Sequence, residues 1–159
     1  MKGSVLFLAG LVCGAVLLQV GVAQDRARRG VNHVGINTRN YDDALAFYRD
    51  TLGAKEAFTI RNPDGTVRLT YLQLSRDTFI ELLPVTADQP AGVTHIGIET
   101  DDVEVSIANL RGHGIAVAEA TVGVSKARVG RITDRDGVAI EVMQMGPDSL
   151  QRKAVEDWQ

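Results

Sequence analysis

After its first two dozen residues the chain alternates short apolar runs with turn signals. Val31 to Thr38 reads as a strand, with Val34 and Ile36 on one face and His33 and Gly35 on the other. A helix is predicted from about Tyr41 to Leu52, because Leu45, Tyr48 and Leu52 recur near helical spacing and Gly53 stands ready to stop it. Strands follow at about 54–60, 67–74 and 78–83, separated by Asn62-Pro63-Asp64-Gly65 and Arg76-Asp77. A second stretch reads the same way. It has a strand at 93–100, a helix from Val103 to Arg111 closed by Gly112 and Gly114, and strands near Ile115, at 128–133 and at 138–145. The turn Asp134-Arg135-Asp136-Gly137 makes the last pair a hairpin. A terminal helix over 147–158 is expected to dock one stripe, Leu150, Ala154 and Trp158.

The two stretches are one motif written twice. Val31-Asn-His-Val-Gly-Ile-Asn-Thr38 and Val93-Thr-His-Ile-Gly-Ile-Glu-Thr100 agree at five of eight positions, 62 residues apart. Phe79-Ile-Glu-Leu-Leu83 is answered by Ala139-Ile-Glu-Val-Met143 at an offset of 60. An α+β fold of two βαβββ modules results, at 31–84 and 93–145, linked through Pro90.

Met1 to Ala23 stands apart. Lys2 precedes an apolar run from Val5 to Leu18, and Gly21-Val22-Ala23 supplies the small residues of a cleavage site, so 1–23 is expected to be a secretory signal. Gln19 interrupts the run and its length is short for a bilayer span, which argues against an uncleaved anchor despite Arg26, Arg28 and Arg29. The mature chain, 24–159, is then a single domain exported to the periplasm or outside the cell, with no membrane attachment. Cys13 is the single cysteine and lies within the leader, leaving no disulfide framework and no thiolate metal site.

Composition adds three exclusions. With 45% hydrophobic and 23% charged residues, the chain is neither disordered nor a polytopic membrane protein. A net charge of −3, with no run of Lys and Arg, gives no stripe for a nucleic-acid backbone. Aromatics at 5% require an aliphatic core.

The chemistry is expected where the repeats coincide. His33 and His95 occupy one repeat position, and Glu81 and Glu141 another. Strand alternation turns all four away from the face carrying Val34, Ile36, Ile80, Leu82, Ile96, Ile98, Ile140 and Val142. Gly35 and Gly97 share the face of the histidines and leave room above the imidazoles. Taken singly, each histidine or glutamate reads as an ordinary satisfied or solvated side chain. Two carboxylates between aliphatic neighbours, in register with two imidazoles, instead call for a cation, and the set suits a divalent Ni, Co, Zn, Fe or Mn ion. His113 has no repeat partner and reads as structural.

The chain resembles the vicinal oxygen chelate superfamily, which includes glyoxalase I, extradiol dioxygenases, epimerases and bleomycin-resistance proteins. The resemblance runs from Val31 to about Gln144. It rests on Asn32-His-Val-Gly-Ile36, Ala44-Leu-Ala-Phe-Tyr-Arg-Asp-Thr-Leu-Gly53, Thr94-His-Ile-Gly-Ile98 and Asp134-Arg-Asp-Gly-Val-Ala-Ile-Glu141. It implies a curled mixed sheet forming a cup around a metal, with the four ligand positions of glyoxalase I falling on His33, Glu81, His95 and Glu141. It also implies a glyoxalase-like lyase or isomerase that moves a proton beside a metal-stabilised enediolate, with Glu141, and secondarily Glu81, as catalytic carboxylates. Two positions that help hold glutathione in bacterial glyoxalase I are Asn37 and Val85 here, so a small substrate other than the glutathione adduct is expected. Arg135 replaces the proline usual in the hairpin turn. The alternatives are an extradiol-type dioxygenase holding Fe(II) with His33, His95 and Glu141, and a small-ligand binding protein of the bleomycin-resistance type. A homodimer sharing the site is compatible with the same sequence.

Overall fold

The computed structural model describes residues 28–159. The expected leader, with Cys13 in it, lies outside the described residues. Module one consists of β1 (Arg28–Thr38), α1 (Tyr41–Ala46), β2 (Lys55–Arg61), β3 (Val67–Ser75) and β4 (Thr78–Pro84). Module two consists of β5 (Gly92–Thr100), α2 (Val103–Gly112), β6 (Thr121–Val122), β7 (Arg128–Thr133) and β8 (Ala139–Gln144), followed by α3 (Leu150–Glu156).

All eight strands form one sheet in the order β2-β3-β4-β1-β5-β8-β7-β6. Each module contributes one half, with its first and last strands parallel and its remaining neighbours antiparallel. The halves join through the antiparallel β1–β5 pair. This is the curled mixed sheet that the resemblance implies.

The two faces of the sheet bury different clusters. Outside, Leu72, Ile80 and Leu82 pack beneath Tyr41, Leu45 and Tyr48 of the first helical segment. Asn40 caps that segment by accepting from the Asp43 N–H, and Asp102 does the same for α2 at Glu104 and Val105. Inside the curl, Leu69, Tyr71 and Phe79 of module one meet Val129, Met143 and Met145 of module two, together with Ala154 and Val155 of α3. The helix thus closes one end of the cup and leaves the other open.

Three local expectations need correction. The first helix is α-helical only to Ala46 and then widens into a π turn, Phe47–Thr51, in which the Leu52 N–H reaches the Phe47 carbonyl at 3.1 Å. The added residue rotates the end of the segment by about 100°. Leu52, placed by periodicity on the buried stripe, is therefore 54% exposed. No strand forms near Ile115; Arg111 there bonds the Val117 carbonyl with two N–H groups, at 3.1 and 2.9 Å, and the edge strand is the two-residue β6. In α3 the buried positions are Gln151, Ala154 and Val155 rather than Leu150 and Trp158; Ser149 caps the helix, which ends at Glu156 and leaves Trp158 beyond it.

Candidate metal centre

The four expected residues converge inside a single chain. His33 comes from β1, Glu81 from β4, His95 from β5 and Glu141 from β8, the four central strands of the sheet. His33 Nε2 and His95 Nε2 are 3.0 Å apart. Glu81 Oε2 lies 2.9 Å from His95 Nε2 and 3.7 Å from His33 Nε2. Glu141 Oε2 stands slightly back, 3.8 Å from His33 Nε2 and 4.0 Å from His95 Nε2. His33, Glu81 and His95 form a compact group able to hold an ion, and Glu141 borders it. All four side chains come from one copy of the chain.

The antiparallel register explains how four bulky groups fit. His33 lies across from Gly97 and His95 across from Gly35, while Gly35 also faces Glu81 and Gly97 also faces Glu141 along the parallel pairs. Each imidazole therefore lies over the glycine of the other module. A Cβ at Gly97 would collide with His33 Cε1 and Nδ1, and one at Gly35 with the same atoms of His95. Gly97→Ala is expected to lose metal affinity and about 1–3 kcal/mol of stability by overpacking. Gly35→Ala should be milder, because the His95 side chain keeps 15% exposure and can yield, whereas that of His33 keeps 1%. Dye competition and thermal melts measure both.

Outer contacts orient the rings. Asn32 gives its amide to Glu99 Oε2 at 3.3 Å and turns Oδ1 to His33 Nδ1 at 3.1 Å. An amide oxygen only accepts, so a neutral His33 carries its proton on Nδ1 and presents a lone pair at Nε2. Thr94 Oγ1 meets His95 Nδ1 at 2.9 Å. Tyr71 packs edge-on against His33, with ring centroids 5.4 Å apart.

Two imidazole nitrogens and two carboxylate oxygens converging on one point are all acceptors. One proton serves the short His95–Glu81 contact and Arg131 meets the outer oxygen of Glu141, which leaves the His33 Nε2 lone pair and Glu141 Oε2 turned towards the same point. Two ligands each about 2.1 Å from an ion and at right angles lie about 3 Å apart, the spacing seen between the histidines and between His95 and Glu81. The donor set thus fits a divalent first-row ion and contains no sulfur.

Burial, opposed by the charge of Glu81 and reinforced by His95, lowers the His33 pKa to about 4. Burial also depresses His95, but its hydrogen bond to Glu81 and the charges of Glu81 and Glu141 outweigh that and raise its pKa. The unfolded imidazole takes its proton near 6.5 and folded His33 only near 4. Between those values the unfolded chain binds more protons, so the metal-free protein should lose stability as pH falls from 6.5 towards 4. Denaturant midpoints of wild type and His33→Gln across that range measure the effect, which the variant should lack.

The centre opens onto a cleft of about 1060 Å³. Glu81, His95 and Glu141 form part of its floor, Arg68 and Arg131 its charged walls, and the 114–116 and 121–124 segments an apolar lip. Arg131 Nε donates to Glu141 Oε1 at 2.9 Å. Asn32, Thr94, Tyr71 and Arg131 were not singled out by sequence reasoning. The repeat carried the signal: Asn32 and Thr94 both precede the histidines, and Tyr71 and Arg131 share the 60-residue offset of the glutamates. His113 follows α2 as its exposed cap residue.

A curled pair of βαβββ modules around a two-His, two-Glu cluster defines a class, and comparison with known proteins names it. The family profile described as Glyoxalase/Bleomycin resistance protein/Dioxygenase superfamily matches residues 30–142, and the chain belongs to that superfamily. Among curated proteins, it is 29% identical over 129 residues to the mitochondrial methylmalonyl-CoA epimerase of Bos taurus, covering 72% of this chain and 73% of that protein. The crystal structure of methylmalonyl-CoA epimerase from Mycobacterium tuberculosis matches with a TM-score of 0.64 at 25% identity, over 74% of this chain and 89% of that one. A variant of the Streptomyces coelicolor methylmalonyl-CoA epimerase, in complex with 2-nitronate-propionyl-CoA, gives 0.64 at 26% identity, over 77% and 99%. The relatives are thus isomerase-type enzymes.

Proposed function

We propose that the protein is an exported, metal-dependent isomerase that moves a proton on the carbon beside a carbonyl group, in a small acid with two neighbouring oxygens. The observation that carries this reading is the convergence of His33, Glu81, His95 and Glu141 at the floor of an open cleft. When bound, a divalent ion would supply positive charge to two substrate oxygens and so ease loss of the adjacent proton. His33 and His95, oriented by Asn32 and Thr94, would hold that ion with Glu81. Glu141, standing furthest back and facing the cleft, would accept and return the proton as general base and acid. Arg68 and Arg131 would draw an anionic substrate into the cleft, and the apolar lip around Val122 and Val124 would cover its carbon skeleton.

Asn37 supports a substrate other than a glutathione adduct. It is buried, with its amide donating to the Gln89 and Pro90 carbonyls at 3.3 Å, so it offers no cation to a carboxylate. Glu141, a second carboxylate beside the His33, Glu81 and His95 group, sets the site apart from the two-His, one-carboxylate ligand set of dioxygen chemistry.

The test is solvent deuterium exchange. Metal-loaded protein is incubated in D₂O with small 2-substituted malonic and 2-oxo acids and with methylmalonyl-CoA, the compound in the relatives' name. Deuterium appearing at the carbon beside the carbonyl, and absent with Glu141→Gln, supports the proposal. Oxygen uptake with a catechol panel, undiminished in Glu81→Gln, would replace the isomerase with a dioxygenase. Export is tested by intact mass of protein recovered from its host: a chain starting near Gln24 is expected, and a full-length cytoplasmic product would overturn that part.

A further inference from the structure

The repeat makes Glu81 and Glu141 equivalent, yet their cross-strand neighbours differ. Across from Glu81 on β3 stands Tyr71; across from Glu141 on β7 stands Arg131. One register position thus holds a buried neutral phenol in module one and a guanidinium, its side chain 62% exposed, in module two. Tyr71 lies in the interior cluster and packs edge-on against His33. Glu81 is thus backed by an uncharged ring and keeps 7% exposure at the floor of the cleft. Arg131 instead holds Glu141 from the cleft side, through Oε1, while Oε2 faces both histidines.

Resting on the metal-centre reading, we propose that Arg131 is a positioning residue that restrains Glu141 by one carboxylate oxygen and keeps it from closing fully on the ion. Glu81, backed by an uncharged partner, is then the permanent carboxylate ligand, and Glu141 the releasable one. Three features carry this. The guanidinium is directly bonded to Glu141, and none of the ion pairs among the described residues joins an arginine or lysine to Glu81. Glu141 Oε2 stands 4.0 Å from His95 Nε2, where Glu81 Oε2 stands at 2.9 Å. A fixed cation bonded to one ligand also opposes binding of a second cation beside it, so Arg131 costs the site metal affinity while it holds that carboxylate back.

The test needs only the metal. Wild type, Arg131→Met and Arg131→Lys are titrated with Co(II), with affinity read by dye competition and coordination by the visible absorption of the saturated protein. Arg131→Met should bind Co(II) roughly ten-fold more tightly, and its spectrum should change as Glu141 closes on the ion. Arg131→Lys, which keeps a cation on the carboxylate, should return both readouts towards wild type. In a Glu141→Gln background the Arg131→Met spectrum should match its parent. Unchanged or weaker affinity in Arg131→Met, with an unchanged spectrum, overturns the proposal alone. Wild type that binds no Co(II) overturns the metal-centre reading with it. The exposed side chain and the Lys variant guard against a folding defect being read as an effect on the centre.

Discussion

Glutamine in place of Glu141 is expected to leave a protein that still takes up metal and has lost roughly 10²- to 10⁴-fold of its proton-transfer rate. The amide keeps an oxygen that can face the ion, but it has no basic lone pair with which to take a proton from carbon. Glu81→Gln should cost less rate and more metal. The Glu81 oxygen lies 2.9 Å from His95 Nε2, and its side chain is 9% exposed, which suits a ligand; that of Glu141 is 17% exposed and borders the cleft. Exchange rates and metal content of the two variants, measured on the same preparations, separate the roles. Equal loss of rate at equal loss of metal would mean that both carboxylates only bind the ion.

The second large effect concerns the histidines. Replacing both His33 and His95 by alanine should abolish metal uptake while the sheet persists. Two carboxylates alone, one of them paired with Arg131, make a poor site for a first-row ion against water and buffer. His33 is fully buried against Tyr71, so its removal leaves a void and strands the Asn32 oxygen that its ring satisfied. His95→Ala alone, at the more exposed ring, is the control if the double variant folds poorly. Far-ultraviolet circular dichroism reports the sheet and dye competition reports the metal. Full metal uptake by a folded double variant would move the site elsewhere.

Much of this was legible because the chain repeats itself. One strand-alternation argument gave the same face to His33 and His95, and another to Glu81 and Glu141, and the structure brings those faces together. What alternation could not give is which strands neighbour one another. The room above each imidazole comes from the glycine of the opposite module, through the β1–β5 register, and not from the glycine two residues along the same strand. The π turn escaped periodicity because a single widened turn leaves no composition signal, and it carried Leu52 to the surface. The loop near Ile115 reads as a strand in the sequence because an apolar run looks alike whether it pairs or bridges; in the structure the Arg111 side chain, not a strand, meets the Val117 carbonyl. Arg131 reads from sequence as an ordinary polar strand residue, and only its pairing with Glu141 gives it a role.

The central claim is that these four side chains form a working metal centre, and elemental analysis tests it most directly. Protein purified without added metal, and then offered Ni, Co, Zn, Mn and Fe in turn, is expected to hold about one divalent ion per chain, at His33, Glu81 and His95 with Glu141 beside them. A folded wild-type protein that carries no metal after purification and takes up none of the five would contradict the account.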